Sequence, residues 1–471
     1  MRARLSPRNR CTTSLLTLLV VLGGCTGVSA SHASETSPPP AAPITGSRPN
    51  VLIFLTDDQR SGTMAVMPST LQRFGEEGTT YAHAFATTPL CCPSRASIFS
   101  GRYAHNHTVQ SNQHGAEQDF DQSTTMQAYL QGSGYRTGIF GKYFNAWDLS
   151  EDPVFFDRWA IESPNGYTGY YGGTWNVNGT LQTVETYSTD YIADQGVHFI
   201  RSGEGLDDRP WFLELAPYGV HMPAFATPKY RAASLPPFQL DPSMREQDLG
   251  DKPPFVRNRQ RERIETIVST RARQLRALMS VDDMVQRVFE TLEASGELGN
   301  TLAFFLGDNG MLWGAHGITG KQTPYTPSIR VPMFARWPGH IDAGAVEHRF
   351  VANIDIAPTV LAAAGVQPAE AMDGRSLFDS WTRDRMLLEY WRLKHPSDVP
   401  TWASIRTRSY QYIEYYSDDG KVTFREYYDL ARDPWELVNL IHDGTQGNDP
   451  SLRPIAAELA ALRTCVGAAC P

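Results

Sequence analysis

The chain is short of positive charge: 42 Lys and Arg stand against 51 Asp and Glu, a formal net charge of −9 at pH 7. A protein that grips nucleic acid needs a basic stripe, and none is present, so nucleic acid is not expected as a partner. An anionic ligand would have to be met by a local positive focus. Long apolar runs are also missing. The longest at the N-terminus, residues 15–22 (Leu-Leu-Thr-Leu-Leu-Val-Val-Leu), is too short to cross a bilayer. Cysteine is sparse, at six residues in 471, and no Cys/His cluster has zinc spacing, which weakens a phosphatase-like two-zinc site. What is there, 41% hydrophobic and 20% charged residues, is ordinary globular composition in a chain long enough for one large domain and a smaller one.

The first ten residues carry four Arg and no acid, and with the short apolar run they read as a secretory signal. The run ends Leu22-Gly23-Gly24-Cys25, which resembles a bacterial lipobox whose Cys is lipidated and becomes the mature N-terminus. Residues 1–24 are then a lipoprotein-type signal peptide, and 25–47, rich in Ser, Pro and Ala, an extended tether. Cleavage after Ala30 is the alternative. Either way export is expected, anchored to the cell envelope at Cys25 or secreted, with membrane contact only through the N-terminal lipid. Loss of the four signal arginines takes the formal charge from −9 to −13.

Two stretches share one design. Asn50 to Thr56 is a continuous apolar run of the kind buried in a parallel sheet, and it ends in Asp57-Asp58-Gln59. Thr301 to Leu306 is a second such run, ending in Gly307-Asp308-Asn309-Gly310. Adjacent carboxylates beside a buried strand are costly unless solvated or bound to a cation, and open α/β sheets place ligands at the carboxyl ends of strands. A surface turn is the alternative for the first pair, and the recurrence lowers it. Asp57, Asp58, Asp308 and Asn309 form an all-oxygen set suited to Ca²⁺, with Mg²⁺ the runner-up. Tyr135 to Tyr143 and Trp211 to Ala216 read as further strands, and Glu262 to Ser295 as a helix with apolar residues three and four apart. After about residue 385 alternating aromatic and polar residues predict antiparallel strands, closed by a helix over 451–463. Residues 150–190 are rich in Tyr, Gly and Trp without clear periodicity: a substrate-facing insertion with sugar-stacking aromatics, or, the safer reading, an aromatic-packed loop.

The most specific stretch is Leu90-Cys91-Cys92-Pro93-Ser94-Arg95, followed by a short helical run to Gly101. Pro93 suits a helix's first turn, so Cys91 sits at a helix N-terminus where free backbone donors favour an anion. A pair of buried cysteines at a helix start is the plain alternative. Taken whole, the string resembles the type I sulfatases, whose Cys-x-Pro-Ser-Arg motif marks a Cys converted to formylglycine. The neighbouring His105-Asn106-His107 brings it nearest to the N-acetylglucosamine-6-sulfatase and endosulfatase branch.

The resemblance implies an α/β fold, an alkaline-phosphatase-like mixed sheet flanked by helices with a smaller C-terminal antiparallel sheet plus helix. It implies a catalytic domain over 48–384 and a C-terminal α+β subdomain over 385–471. It assigns Cys91 (as formylglycine), Arg95, Lys142, His221 and Lys321 to catalysis, and Asp57, Asp58, Cys91, Asp308 and Asn309 to a calcium ion. Asn145 stands where the glucosamine-6-sulfatase branch has Asn, while Phe144 replaces a His found in many sulfatases. His316 is open between a site role and a structural one. Cys465 and Cys470 could close a small disulfide loop. The implied partners are a sulfated small molecule or glycan, possible 6-sulfated N-acetylglucosamine among them, and a formylglycine-generating enzyme during maturation. Two rivals stand beside this reading: a phosphonate monoester or phosphodiester hydrolase of the same superfamily, and a non-catalytic sulfoglycan-binding lipoprotein.

Overall fold

The computed structural model of the protein describes residues 48–163, 166–203, 209–392 and 399–471. The expected signal peptide (1–24), tether (25–47) and lipidated Cys25 lie outside the described residues. Among the described residues no helix is long and apolar enough to cross a membrane.

Asn50–Thr56 forms β1 with every residue buried, as its unbroken apolar run demands. Along the chain follow β2 (Thr79–Phe85), β3 (Arg136–Lys142), β4 (Arg158–Glu162), β5 (Gly173–Val177), β6 (Thr180–Val184), β7 (Trp211–Ala216), β8 (Thr301–Gly307), β9 (Met333–Arg336) and β10 (Ala345–Ala352). They make one ten-stranded sheet in the order β10-β2-β9-β8-β1-β7-β3-β4-β5-β6. Its centre, β8-β1-β7-β3-β4, is parallel. β9 and the β5–β6 pair run antiparallel to their neighbours, so the sheet is mixed, as expected.

Side chains alternate across a strand, and β1 therefore feeds two cores. Val51, Ile53 and Leu55 pack with residues of α1 (Cys91–Ser100), α2 (Met126–Gly132) and α5 (Ile356–Ala364), among them Phe99, Leu130 and Val360. Leu52 and Phe54 pack on the other face with α3 (Ser188–Gly203) and α4 (Ile264–Ala294), through Ile192, Phe199, Leu278 and Val285. In α4 the apolar residues at three and four are indeed the buried ones, each contributing roughly 1.5–3 kcal/mol. Asp282 on this helix accepts from the Ser69 and Thr70 amides, a structural use of the Ser280–Asp283 stretch.

The loop reading of residues 150–190 is corrected by the structure. Within that stretch β4, β5 and β6 prolong the sheet edge, with Trp175 buried against Tyr191. The β5–β6 turn is Asn178-Gly179, both at positive φ, a pairing that favours a two-residue hairpin. That dipeptide was the missed signal.

A second sheet of four antiparallel strands, β11 (Arg385–Tyr390), β12 (Thr401–Thr407), β13 (Tyr410–Tyr416) and β14 (Val422–Asp429), is joined by helix α6 (Leu452–Leu462). Cys465 and Cys470 are disulfide-bonded. This sheet shares a core with the first one's loops: Leu90, Leu312 and Tyr325 pack with Trp402, Ile413 and Tyr415. The His-Asn-His segment is part of that junction. His105 Nδ1 meets Glu389 at 2.9 Å and its Nε2 meets the Cys465 carbonyl at 2.9 Å, while Asn106 Nδ2 donates to Asp373 and to the same carbonyl. His107 is buried against Ser97 Oγ.

Candidate active site

Four neighbouring parallel strands deliver the site from their carboxyl ends. β1 leads into Asp57 and Asp58, β8 into Asp308 and Asn309, β3 ends on Lys142, and β7 leads to the loop bearing His221. This is where an open parallel sheet leaves side chains without strand neighbours. At Gly141 the backbone has φ 115°, and a Cβ there would lie 2.1 Å from the Ala216 carbonyl oxygen. Only glycine lets β3 pass β7 so closely just before Lys142. Asp58 takes φ 62°, a left-handed conformation that Asp tolerates better than most residues and that marks local strain at the site.

Cys91 opens α1 behind the extended Leu90, and the whole helix is buried. Its Sγ lies 3.3 Å from Asp57 Oδ1 and 2.8 Å from Lys321 Nζ. Lys142 Nζ donates to Asp57 Oδ2 and Lys321 Nζ to Asp58 Oδ1. Asn309 Nδ2 donates to Asp58 Oδ1 at 2.6 Å, and the Asp58 amide to Asp308 Oδ1 at 3.1 Å. Arg95, four residues and one turn along α1, donates from Nε to Asp308 Oδ2 at 3.0 Å and from Nη1 to the Lys142 carbonyl at 2.7 Å. His221 Nδ1 meets the Met222 carbonyl at 2.7 Å, an acceptor, so Nδ1 carries a proton. Its Nε2 then faces Asp58 Oδ2 at 3.6 Å.

Every residue named from the sequence for this site is thus in one cluster. His316 is not in it: its Nδ1 pairs with Glu246 at 2.7 Å beneath the second sheet's contact with Tyr325. Asn145 stands at the cluster's edge, its amide donating to Cys92 Sγ at 3.0 Å. Three further contributors were given no role from the sequence, although Ser94 lies within the Cys91–Arg95 motif. Ser94 Oγ holds the Asp308 carbonyl, Tyr218 stacks on the His221 ring at 4.7 Å, and Asn353 Nδ2 holds Ser94 Oγ at 2.9 Å. Their side chains are generic, and only the fold gives them partners.

The electrostatics are those of a crowded ion cluster. Burial pushes Asp308 upward, as does the neighbouring Asp57, against the pull of Arg95. Burial would also raise Asp57, yet Lys142, His221 and Lys321 hold it well below the usual carboxylate range. Burial would lower both lysines, and the carboxylates overcome it, so Lys142 and Lys321 stay charged. Burial pushes the Cys91 thiol up, helped by Asp57, which leaves it protonated and a poor nucleophile.

The donor set fits a divalent cation. Carboxylate oxygens of Asp57, Asp58 and Asp308 and the Cys91 sulfur lie within 4.8 Å of one another, all buried. Three carboxylates and an amide oxygen suit a hard, oxygen-seeking ion such as Ca²⁺.

Comparison with known proteins agrees in extent. A family model described as Sulfatase matches residues 49–366, and one described as N-sulphoglucosamine sulphohydrolase, C-terminal, matches 314–463. A human N-acetylglucosamine-6-sulfatase is 31% identical, over 99% of this chain and 91% of its own. A Drosophila melanogaster extracellular sulfatase SULF-1 homolog is 34% identical over 73% of this chain, which spans only 32% of that protein. A solved structure of a protein in complex with its substrate D-glucosamine-2-N,6-O-disulfate has a TM-score of 0.76 at 22% identity, covering 88% of this chain and 97% of that one.

Proposed function

The chain belongs to the sulfatase family, and from that we propose that it hydrolyses the sulfate ester of 6-sulfated N-acetylglucosamine or a related sulfated glycan, with position 91 as nucleophile. The observation that carries this reading is the convergence on Cys91 of Asp57, Lys321 and, through Asp57, Lys142. The sugar assignment is supported by the N-acetylglucosamine-6-sulfatase relatives.

A sulfate ester resists attack because its anionic oxygens repel a nucleophile, so positive charge must be in place beforehand. Lys142 and Lys321 supply it: both are held charged, and Lys321 touches Sγ of residue 91. Arg95 is clamped by Asp308 and the Lys142 carbonyl, with Nη2 buried and unpartnered among the described residues, a donor free for oxygens developing at position 91. His221, with Nδ1–H tied to the Met222 carbonyl, hands a proton from Nε2 to the leaving oxygen when the ring carries both protons. Asp57, Asp58, Asp308 and Asn309 would hold Ca²⁺, which when bound supplies Lewis-acid charge beside the ester. The Cys91–Arg95 motif supports conversion of Cys91 to formylglycine; its hydrate supplies two geminal hydroxyls, one to attack sulfur and one whose loss of a proton releases sulfate. A formylglycine-generating enzyme is the maturation partner this requires.

The N-terminal pattern supports export, with the protein anchored at Cys25 or secreted, and a catalytic domain over 48–384 followed by a subdomain over 385–471. The deciding experiment is the mass of tryptic peptide Phe74–Arg95 from the native host, with rates on 6-sulfated N-acetylglucosamine, aryl sulfates and aryl phosphonates. Formylglycine at 91 with turnover of the sugar is expected. Faster phosphonate turnover would turn the assignment to the phosphonate hydrolases, and an intact thiol with ligand binding alone to a sulfoglycan-binding protein.

A further inference from the structure

Beside the site lies a cavity of about 630 Å³ that catalysis leaves unused. One wall is aromatic: Tyr167, Tyr171 and Phe225, with Tyr167 stacked on Tyr171 at 5.8 Å and edge-on to Phe225 at 5.3 Å. Tyr167 is 58% exposed, which leaves ring surface open to a ligand. The other wall carries Arg231, Arg273 and Arg276 against one acid, Asp190, an excess of positive charge in a protein that is acidic overall. Arg276 is partly engaged, donating to the Ala233 carbonyl, whereas Arg273 Nε is buried with no hydrogen-bond partner among the described residues. A buried donor left unpaired costs about 1–3 kcal/mol, which a bound acceptor would recover.

Hydrogen bonds to the His221–Phe225 segment run from both the cavity wall and its surroundings. Tyr170 Oη, outside the lining, donates to the His221 carbonyl at 2.6 Å, and Tyr187 Oη, in the cavity wall, to the Phe225 carbonyl at 2.8 Å. Phe225 in the cavity wall is four residues from His221 in the site, so the two lie within about 14 Å of each other. Exposed aromatic faces suit the apolar face of a pyranose, and arginine suits sulfate or carboxylate.

We propose that this cavity is a second subsite, which takes an anionic sugar unit of an oligosaccharide whose sulfate ester lies at Cys91. The inference rests on the glycan reading above and adds that the preferred substrate is longer than a monosaccharide. The full-length enzyme is assayed on 6-sulfated N-acetylglucosamine and on a tetrasaccharide in which that sugar alternates with uronic acid. Arg231→Ala and Arg273→Ala each raise KM for the tetrasaccharide about tenfold or more, with kcat and the monosaccharide kinetics unchanged. Equal effects on both substrates, or none on either, overturn the subsite. Tyr167→Ala, at an exposed ring, repeats the test should Arg273→Ala fail to fold. Calorimetric binding of the same tetrasaccharide to Cys91→Ser decides the matter without turnover: affinity lost on adding Arg231→Ala supports the subsite, and absent or unchanged binding overturns it. Turnover of neither sugar together with Arg231-dependent binding leaves the subsite standing and refutes only the proposed activity.

Discussion

The strand-end cluster and the second sheet both bury acids, and they treat them oppositely. In the second sheet Glu426 is fully buried and accepts from three hydroxyls, those of Tyr325, Tyr415 and Tyr428. Glu414 likewise takes Tyr412, Tyr416 and Arg425. Each acid there has donors of its own. At the strand ends three carboxylates crowd within 4.8 Å and draw on cations that also touch Cys91 or the Lys142 carbonyl, while Arg95 Nη2 has no hydrogen-bond partner among the described residues. A satisfied buried network rigidifies a fold, whereas a crowded and incompletely satisfied one is completed by something bound.

The contrast can be broken by four measurements. Cys91→Ala is expected to lower sulfatase kcat/KM by about 10⁴-fold or more at an unchanged melting temperature, as loss of a covalent nucleophile does; activity within tenfold of wild type would remove position 91 from catalysis. Glu426→Ala strands three buried tyrosine hydroxyls and should cost about 3 kcal/mol in denaturant unfolding, with kcat per folded molecule retained. If kcat falls too, the second sheet is no mere scaffold. Calcium at a hundredfold its Kd should stabilise the wild type by about 2.7 kcal/mol and Asp308→Asn far less, read by thermal shift after EDTA treatment. Equal shifts in both would place the ion elsewhere.

The smallest effect concerns His107. Burial holds its imidazole neutral, with a pKa lowered to about 3. The unfolded chain therefore binds a proton the folded one refuses, and stability present above the ordinary value near 6.5 is lost as pH falls. From pH 6.5 to 5 the loss is about 1.6 kcal/mol, and His107→Gln should flatten that part of the pH–stability curve. An unchanged slope would show that other groups set it.

Much of this was legible from residues alone because the relevant signals are local. Unbroken apolar runs gave the buried strands, three-and-four spacing gave α4, and Cys91 to Arg95 marked a helix start whose residues four apart share a face. The gathering of Asp57, Asp58 and Asp308 could be anticipated because acids directly after a buried strand have few places to go. The His-Asn-His segment, by contrast, was close to the motif in sequence and proved to serve the junction with Glu389 and Cys465. Residues 158–184 looked like loop because their strands sit at a sheet edge and alternate poorly. Tertiary structure alone decided that Lys321, 230 residues from Cys91, would touch its sulfur, and that Tyr167 and Arg273 would face one cavity. Such meetings depend on strand order and loop closure, and no local pattern in a chain encodes those.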